Sequence, residues 1–197
     1  MAIFNSIRSV VRFRKLELNR TKRLLRKAAN VDDLRKLAKR RLPVGVFDYI
    51  DGGAEDEITL RRNIEAYKKA SFKPRVLRDM ANIDTSTSLF GRRLAFPLVL
   101  APTGFTRIAH SQGELAVVRA ATRAGVPFTL STMATRSIEE CAAVAESNTR
   151  LWFQIYTWRD RSVVENLVKR AEAAGFEAVC LTVDTAVLGR RERDVRR

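Results

Sequence analysis

Polar side chains recur at the ends of four apolar segments in the second half of the sequence. The segments cover residues 96–101, 127–131, 151–156 and 177–183. The residues at their ends are Pro102, Thr103, Gly104, Ser131, Thr132, Gln154, Tyr156, Thr182 and Asp184. Parallel β/α folds bind ligands where the carboxyl ends of their strands meet. Helix capping accounts for one or two such residues, so polar groups at four successive ends predict a polar ligand site.

Several familiar kinds of site are missing from the sequence. It contains neither the GxGxxG dinucleotide fingerprint nor the GxxxxGK[ST] phosphate loop. We interpret Gly52 and Gly53 as the end of a helix. Cys141 and Cys180 match no metal-binding spacing, so we expect no metal site. Each lies in an apolar stretch, which favours reduced thiols in a core and a cytoplasmic location.

The elements that position these side chains alternate between strand and helix. Predicted helices over 111–125, 137–146 and 160–175 separate the four apolar segments. The first two each begin with a Ser-x-x-Glu capping box, Ser111 with Glu114 and Ser137 with Glu140. Strands without polar alternation indicate burial on both faces, and therefore a parallel sheet. A doubly wound sheet and a (β/α)₈ barrel both fit this pattern.

The chain before residue 95 has a different character. Helices are predicted over 31–42, 44–53 and 55–70, followed by a β-hairpin that turns near Gly91. We therefore divide the sequence into an N-terminal extension (1–30), a helical cap with a hairpin lead-in (31–94) and a β/α region (95–197).

The extension is strongly basic. The protein has a formal net charge of +15, and residues 1–30 hold nine Lys or Arg against one Glu, a net +8. Apolar residues interleave with these charges, which favours a helix on an anionic membrane surface over a nucleic-acid arm. A solvated, partly ordered extension is the plainer alternative. We expect no membrane span and no secretory signal, because the longest apolar run covers only residues 94–102.

Four motifs resemble the FMN-dependent α-hydroxy-acid dehydrogenases and oxidases, which include glycolate oxidase, cytochrome-type L-lactate dehydrogenase and mandelate dehydrogenase. The motifs are FDYIDGGAEDEITLRRN, LAFPLVLAPTGFTRIAHSQGE, WFQIYTWRDR and LTVDTAVLGRRERDVR. The resemblance implies a (β/α)₈ TIM barrel, of which about the first four β/α units are present, after a small helical cap. It also implies FMN as cofactor, a small L-2-hydroxy acid as substrate, a separate electron acceptor and a homo-oligomer.

The resemblance also assigns roles to individual residues. Backbone at Pro102, Thr103 and Gly104 would border the flavin, and Ser131, Gln154 and Thr182 would hydrogen-bond its isoalloxazine edge. The hydroxyls of Tyr49 and Tyr156 would reach the substrate, and Arg191 would pair with its carboxylate. Asp184 would orient a catalytic histidine.

That histidine is absent from these 197 residues. The only histidine, His110, matches a non-catalytic position of the family, so we expect a structural role for it. The family's base and FMN-phosphate loops belong to the second half of the barrel. We therefore expect the chain to be the N-terminal portion of the enzyme and inactive alone. A non-catalytic half-barrel, serving as an assembly or membrane-surface piece, is the alternative. The presence of Tyr49, Tyr156, Asp184 and Arg191 favours the enzyme.

Overall fold

The computed structural model describes residues 17–196, which form two compact units, residues 17–51 and 52–196. The first unit contains three helices: α1 (Arg20–Leu25), α2 (Val31–Lys39) and α3 (Val44–Asp51). Asn19 and Asn30 cap α1 and α2 by accepting backbone N–H groups. An ion pair from Arg35 to Asp51 joins α2 to α3. Helix α1 lies within the predicted extension, and the predicted membrane helix near residues 3–13 falls outside the described residues.

The second unit starts with a helix and a hairpin and continues as alternating strands and helices. Its elements are α4 (Ile58–Lys68), β1 (Thr87–Leu89), β2 (Arg92–Leu94), a 3₁₀ turn (Thr106–Ile108), α5 (Glu114–Ala124), β3 (Phe128–Leu130), α6 (Ile138–Ala143), β4 (Leu151–Ile155), α7 (Arg161–Ala173), β5 (Ala178–Leu181) and α8 (Glu192–Val195). The predicted hairpin is confirmed. Its turn residues Phe90 and Gly91 both have positive φ, as a two-residue hairpin turn requires. None of the helices within residues 17–196 has the length and hydrophobicity needed to cross a membrane.

Strands β3, β4 and β5 form a parallel sheet in that order, which confirms an α/β fold with a parallel sheet. The predicted strand over 96–101 is wrong in extent, because only Leu100 pairs with β3. Its amide donates to Pro127 O at 2.9 Å and its carbonyl accepts from Thr129 N at 3.1 Å. Pro97 has no amide to donate, and the amide of Leu98 is used within its own turn.

The two faces of the sheet have different chemistry. On one face, Phe128, Leu130, Leu151, Phe153 and Ile155 pack with helices α5, α6 and α7 into the hydrophobic core. By register, the opposite face carries Thr129, Trp152, Gln154 and Cys180. All five residues of β4 are buried, as predicted for a strand covered on both sides. Strand β5 is less buried, and Val179 and Leu181 remain about half exposed.

One of the two predicted capping boxes forms. Ser137 accepts the amide of Glu140, and the Glu140 carboxylate accepts the amide of Ser137. The Ser111–Glu114 box is wrong, because α5 begins after Gly113 at φ 52° with no side-chain cap. The Glu114 carboxylate is instead bound to Thr135, 21 residues further along the chain. A tertiary contact thus replaces the local one.

Candidate functional site

A row of polar side chains lies at the carboxyl end of the parallel sheet, with Ser131 and Gln154 buried and Thr182 half-buried. Gln154, near the end of β4, is at its centre. The Gln154 Oε1 atom accepts from Ser131 Oγ at 3.1 Å and from Thr132 N at 3.0 Å, and its Nε2 donates to Thr182 Oγ1 at 2.6 Å. We call Ser131, Gln154 and Thr182 the polar row. The structure thus brings together three of the residues that the sequence predicted, one from each strand.

The surroundings fix the orientation of the Gln154 amide. Only 3 % of Gln154 and 6 % of Ser131 is exposed. Because the amide of Thr132 is a donor, the oxygen of the Gln154 side chain must face it, and the amino group must face Thr182. The hydroxyl of Thr132 also donates to the Gln154 carbonyl. These hydrogen bonds therefore join the carboxyl ends of β3 and β4.

The polar row retains hydrogens that it does not use internally. Gln154 Nε2 has a second hydrogen, and the Thr182 hydroxyl accepts from Gln154 while keeping its own hydrogen. No acceptor for these two hydrogens occurs among residues 17–196. The buried Gln154 donor is of the kind that is normally satisfied, and the half-buried Thr182 hydroxyl lies beside it, so the pair fits an acceptor-rich group. The carbonyl oxygens and ring nitrogens at the edge of an isoalloxazine are such acceptors, and the row therefore fits FMN.

The segment after Leu100 approaches the loop that follows β3. The amide of Phe105 donates to Met133 O at 2.9 Å. A Cβ atom on Gly104 would lie 3.1 Å from Met133 Cβ, so glycine allows this close approach. Gly104 is half-buried, whereas Pro102 and Thr103 are exposed. Met133 itself donates its amide to Ser131 Oγ at 3.1 Å, which connects this segment to the polar row.

Glu114 fixes the same loop from the other side, a role that the sequence did not predict. Only 1 % of Glu114 is exposed, and its carboxylate accepts from Thr135 N at 2.7 Å and from the Thr135 hydroxyl at 2.8 Å. Burial by itself would raise the pKa of Glu114, but hydrogen bonding, including that from Thr135, lowers it below its usual value. An ionised Glu114 thus holds the loop that carries Met133.

Arg191 lies in a segment that is clasped to the loop at residues 52–57. Its Nε donates to Asp194 at 2.9 Å, and one terminal nitrogen donates to Gly52 O at 3.3 Å. The neighbouring Arg190 carbonyl accepts the amide of Glu55 at 2.8 Å. Glu57 pairs with Arg193 at 2.7 Å and accepts the amide of Gly53 at 3.1 Å. These contacts, which we call the clasp, could not be predicted from the sequence, because their partners are more than 130 residues apart.

The clasp holds the loop at residues 52–57 in an uncommon backbone conformation. Glu55 and Glu57 have φ angles of 48° and 56°, in the left-handed region that non-glycine residues seldom adopt. Such conformations persist where surrounding contacts enforce them, often at functional sites. The 52–57 loop is therefore set by its contacts with residues 189–193.

Tyr156 and Asp184, in the same unit as the polar row, make no hydrogen bond to it within residues 52–196. Tyr156 is half-buried directly after β4, and Asp184 is exposed beyond β5. Tyr49 lies in α3 of the other unit, with 37 % of its surface exposed. The Nδ1 atom of His110 accepts the amide of Gln112 within its own turn. No group of His, Cys, Asp and Glu suited to a metal occurs within residues 17–196.

Comparisons with known proteins all point to one family. The family model for FMN-dependent dehydrogenase matches residues 38–197. A putative L-lactate dehydrogenase of Mycobacterium tuberculosis (strain ATCC 25618 / H37Rv) is 44 % identical over 187 residues, which cover 95 % of this chain and 45 % of the relative. Glycolate oxidase of Spinacia oleracea is 46 % identical over 167 residues, covering 85 % of this chain and 45 % of the relative.

Comparison with solved structures points to the same family. A soluble mutant of the membrane-associated (S)-mandelate dehydrogenase from Pseudomonas putida matches with a TM-score of 0.80 and 41 % identity, over 85 % of this chain and 47 % of that one. A mandelate oxidase structure matches with a TM-score of 0.80 and 44 % identity, over 86 % of this chain and 50 % of that one. The chain spans a little under half the length of these curated relatives. With a match over residues 38–197 and identities above 40 %, the chain belongs to the FMN-dependent dehydrogenase family, whose cofactor is FMN.

Proposed function

We propose that this chain is the part of an FMN-dependent α-hydroxy-acid dehydrogenase or oxidase that binds the flavin edge, in a barrel of which it forms about the first four β/α units. The whole protein oxidises a small L-2-hydroxy acid of the lactate, glycolate or mandelate type to the 2-oxo acid. The observation that carries the proposal is the polar row, in which Gln154 joins three parallel strand ends and leaves two hydrogens for an acceptor. Bound FMN would supply the two-electron acceptor for this oxidation, and a separate acceptor would reoxidise it.

The residues of this chain have distinct tasks in the proposal. Gln154 and Thr182 donate to the flavin edge, Ser131 orients Gln154, and the backbone at Pro102, Thr103 and Gly104 borders the ring. Arg191 binds the substrate carboxylate, a planar anion that suits a guanidinium fork. Tyr49 and Tyr156 donate hydroxyl hydrogen bonds to the substrate. Asp184 orients and stabilises a histidine that takes the substrate's hydroxyl proton.

The base lies outside these 197 residues in this proposal. His110 is exposed, and its ring is engaged in the turn that precedes α5. Among the described residues, no histidine pairs with Asp184. We therefore propose that the chain by itself does not turn over substrate. The alternative, a non-catalytic assembly piece, draws support from the half-exposed Val179 and Leu181 on β5.

Two further properties complete the proposal. We infer that the whole protein is a homo-oligomer, as the family resemblance implies. We also infer a cytoplasmic location. The basic N-terminal region favours peripheral attachment to the inner face of the membrane. The free thiols of Cys141 and Cys180 support a reducing compartment.

Titration of the chain with FMN tests the flavin assignment. We expect quenching of flavin fluorescence, and at least tenfold weaker binding for Gln154→Leu, since the hydrogen bond from Gln154 to the flavin disappears and Thr182 loses the partner that orients it. Gln112→Leu is the matched control, because the Gln112 side chain is exposed and only its backbone contacts His110. Equal affinity of the two variants would contradict the assignment.

Turnover tests the remainder of the proposal. A polypeptide of the family's full length that contains this chain should reduce an artificial electron acceptor with glycolate, L-lactate or (S)-mandelate. The 197 residues alone should not. Turnover by the isolated chain would refute the proposed location of the base, and inactivity of the longer polypeptide with bound flavin would favour the non-catalytic alternative.

A further inference from the structure

A groove of about 550 Å³ lies between α1 and α2, within the unit formed by residues 17–51. It is lined by residues of these two helices and the turn after α2, and is separate from the polar row. The apolar lining residues are Leu24, Leu25, Leu34, Leu37 and Ala38. The polar ones are Arg20, Thr21, Arg40 and Arg41. The groove thus combines an apolar floor with an arginine rim.

The floor remains accessible. Leu25 is 51 % exposed and Leu34 is 44 % exposed, whereas Leu24 and Leu37 are half-buried beneath them. A hydrogen bond from Arg41 to the Thr21 hydroxyl, at 3.1 Å, ties the two helices together at one end. The two walls of the groove are therefore joined by a hydrogen bond at one end.

The charge around the groove is strongly one-sided. Residues 17–42 contain ten Lys or Arg and three acidic residues, a net charge of +7. No acidic residue lines the groove. Two of the three acids are occupied elsewhere, Glu17 by Arg26 and Asp33 by Lys36 and the amide of Ala29. The rim thus presents positive charge that nearby carboxylates do not neutralise.

We propose that this groove binds the surface of a membrane that contains anionic phospholipids. Arg20 and Arg40 bind lipid phosphates, while the leucines of the floor contact the acyl boundary. An exposed apolar floor beside a basic rim is the arrangement by which amphipathic helices lie in the interface of a bilayer. A nucleic acid would use the arginines and leave the leucines in contact with phosphate and water. The proposal specifies a site for the peripheral membrane attachment inferred above and rests on that inference, whereas it does not depend on the flavin chemistry.

Vesicle co-sedimentation of the chain tests the rim. The probes are vesicles of phosphatidylcholine with 30 % phosphatidylglycerol, and vesicles of phosphatidylcholine alone. We expect binding to the anionic vesicles only, and a roughly ten- to thirtyfold loss for Arg20→Gln/Arg40→Gln, which retains the Arg41–Thr21 bond. The control Arg61→Gln/Arg62→Gln removes the same charge from exposed positions of α4 and should bind within about twofold of the parent. Equal losses for the two double variants would overturn the proposal, since binding would then follow overall charge alone.

A second pair of variants tests the floor and the neighbouring segment. Leu25→Ser/Leu34→Ser keeps every charge and should lower anionic-vesicle binding at least fivefold at physiological salt. Deletion of residues 1–16 should leave the dependence on Arg20 and Arg40 in place. Insensitivity to the leucines, loss of the arginine dependence on deletion, or equally tight arginine-dependent binding of double-stranded DNA would each overturn the membrane assignment. Circular dichroism confirms that the variants are folded.

Discussion

The two ends of the parallel sheet both carry buried polar side chains, but these are arranged in opposite ways. At the carboxyl end, the polar row is neutral and leaves two hydrogens unused. At the amino end, Arg150 pairs with Glu177, and Glu177 also accepts from Trp152 Nε1 at 2.9 Å and from Arg92 at 2.8 Å. We call Arg92, Arg150, Trp152 and Glu177 the hairpin anchor.

The hairpin anchor is satisfied from several directions. One terminal nitrogen of Arg150 donates to Leu89 O at 3.1 Å, which fixes β1 and β2 to the sheet. Phe90, in the hairpin turn, packs its ring 5.4 Å from that of Trp152. Only 5 % of the Arg150 side chain is exposed. One end of the sheet is thus built for stability, and the other keeps hydrogen-bonding capacity for a ligand.

Removing Arg150 should produce the largest effect. Arg150→Met leaves the Glu177 carboxylate, whose side chain is 19 % exposed, with fewer partners, and breaking one side of a fully buried ion pair costs about 3–5 kcal/mol. We expect about 3 kcal/mol less unfolding free energy by urea denaturation, since Arg92 still pairs with Glu177. FMN affinity should stay within twofold when measured on folded protein. The control Arg93→Gln breaks the exposed pair with Asp84 and should change stability by less than about 1 kcal/mol. Equal losses of unfolding free energy in Arg150→Met and Arg93→Gln would show that the hairpin anchor stabilises the fold no more than a surface ion pair does.

The same anchor predicts a dependence on acid. Burial alone would raise the pKa of Glu177, but hydrogen bonds from Trp152 and Arg150 and the charge of Arg150 lower it below its usual value. A carboxylate with a lowered pKa stabilises the fold above its ordinary pKa, and this contribution is lost as pH falls through the lowered value. In Arg150→Met the acid-induced loss from Glu177 should become smaller and centre at a higher pH. An unchanged pH profile of unfolding would show that Arg150 does not control Glu177.

Changing the carboxyl end should affect ligand binding as well as stability. Gln154→Leu leaves the Thr132 amide without its partner and removes one hydrogen bond each from Ser131 and Thr182, which costs about 1–3 kcal/mol. We expect about 2 kcal/mol in urea unfolding, less than for Arg150→Met, together with the tenfold loss of FMN affinity. A variant that loses stability and retains flavin affinity would show that the polar row is structural, like the anchor.

The smallest effect is expected at a surface pair that belongs to neither end. Arg170 binds Glu139 through two hydrogen bonds, at 2.8 and 2.9 Å, and joins α7 to α6. Hydrogen bonding to Arg170 lowers the pKa of Glu139 to about 2. Its contribution is present above the ordinary glutamate pKa and is lost as pH falls through about 2. Both side chains are about half exposed, so Glu139→Gln should cost less than about 1 kcal/mol, and less at high salt. A larger loss of unfolding free energy would show that this surface pair contributes to stability as the hairpin anchor does.

Much of the site was predictable because it follows local rules. Continuous apolar runs without polar alternation located β3, β4 and β5, and the residues at their ends followed from where these runs stop. The Ser137–Glu140 box formed as predicted, since all of its atoms lie within one helical turn. The Leu100 segment was predicted too long, because Pro97 limits the pairing that its apolar residues would favour.

The sequence by itself determined the parallel β/α order and the family. It also predicted that Ser131, Gln154 and Thr182 lie close together. These depend on spacing along the chain, which constrains backbone direction and side-chain face. Only the tertiary structure decided that Glu114 holds Thr135 instead of capping its helix, that Glu57 clasps Arg193, and that Arg150 pairs with Glu177. A charged side chain can pair with any opposite charge that the fold brings within reach. Its partner therefore depends on where the chain returns, not on its sequence neighbours.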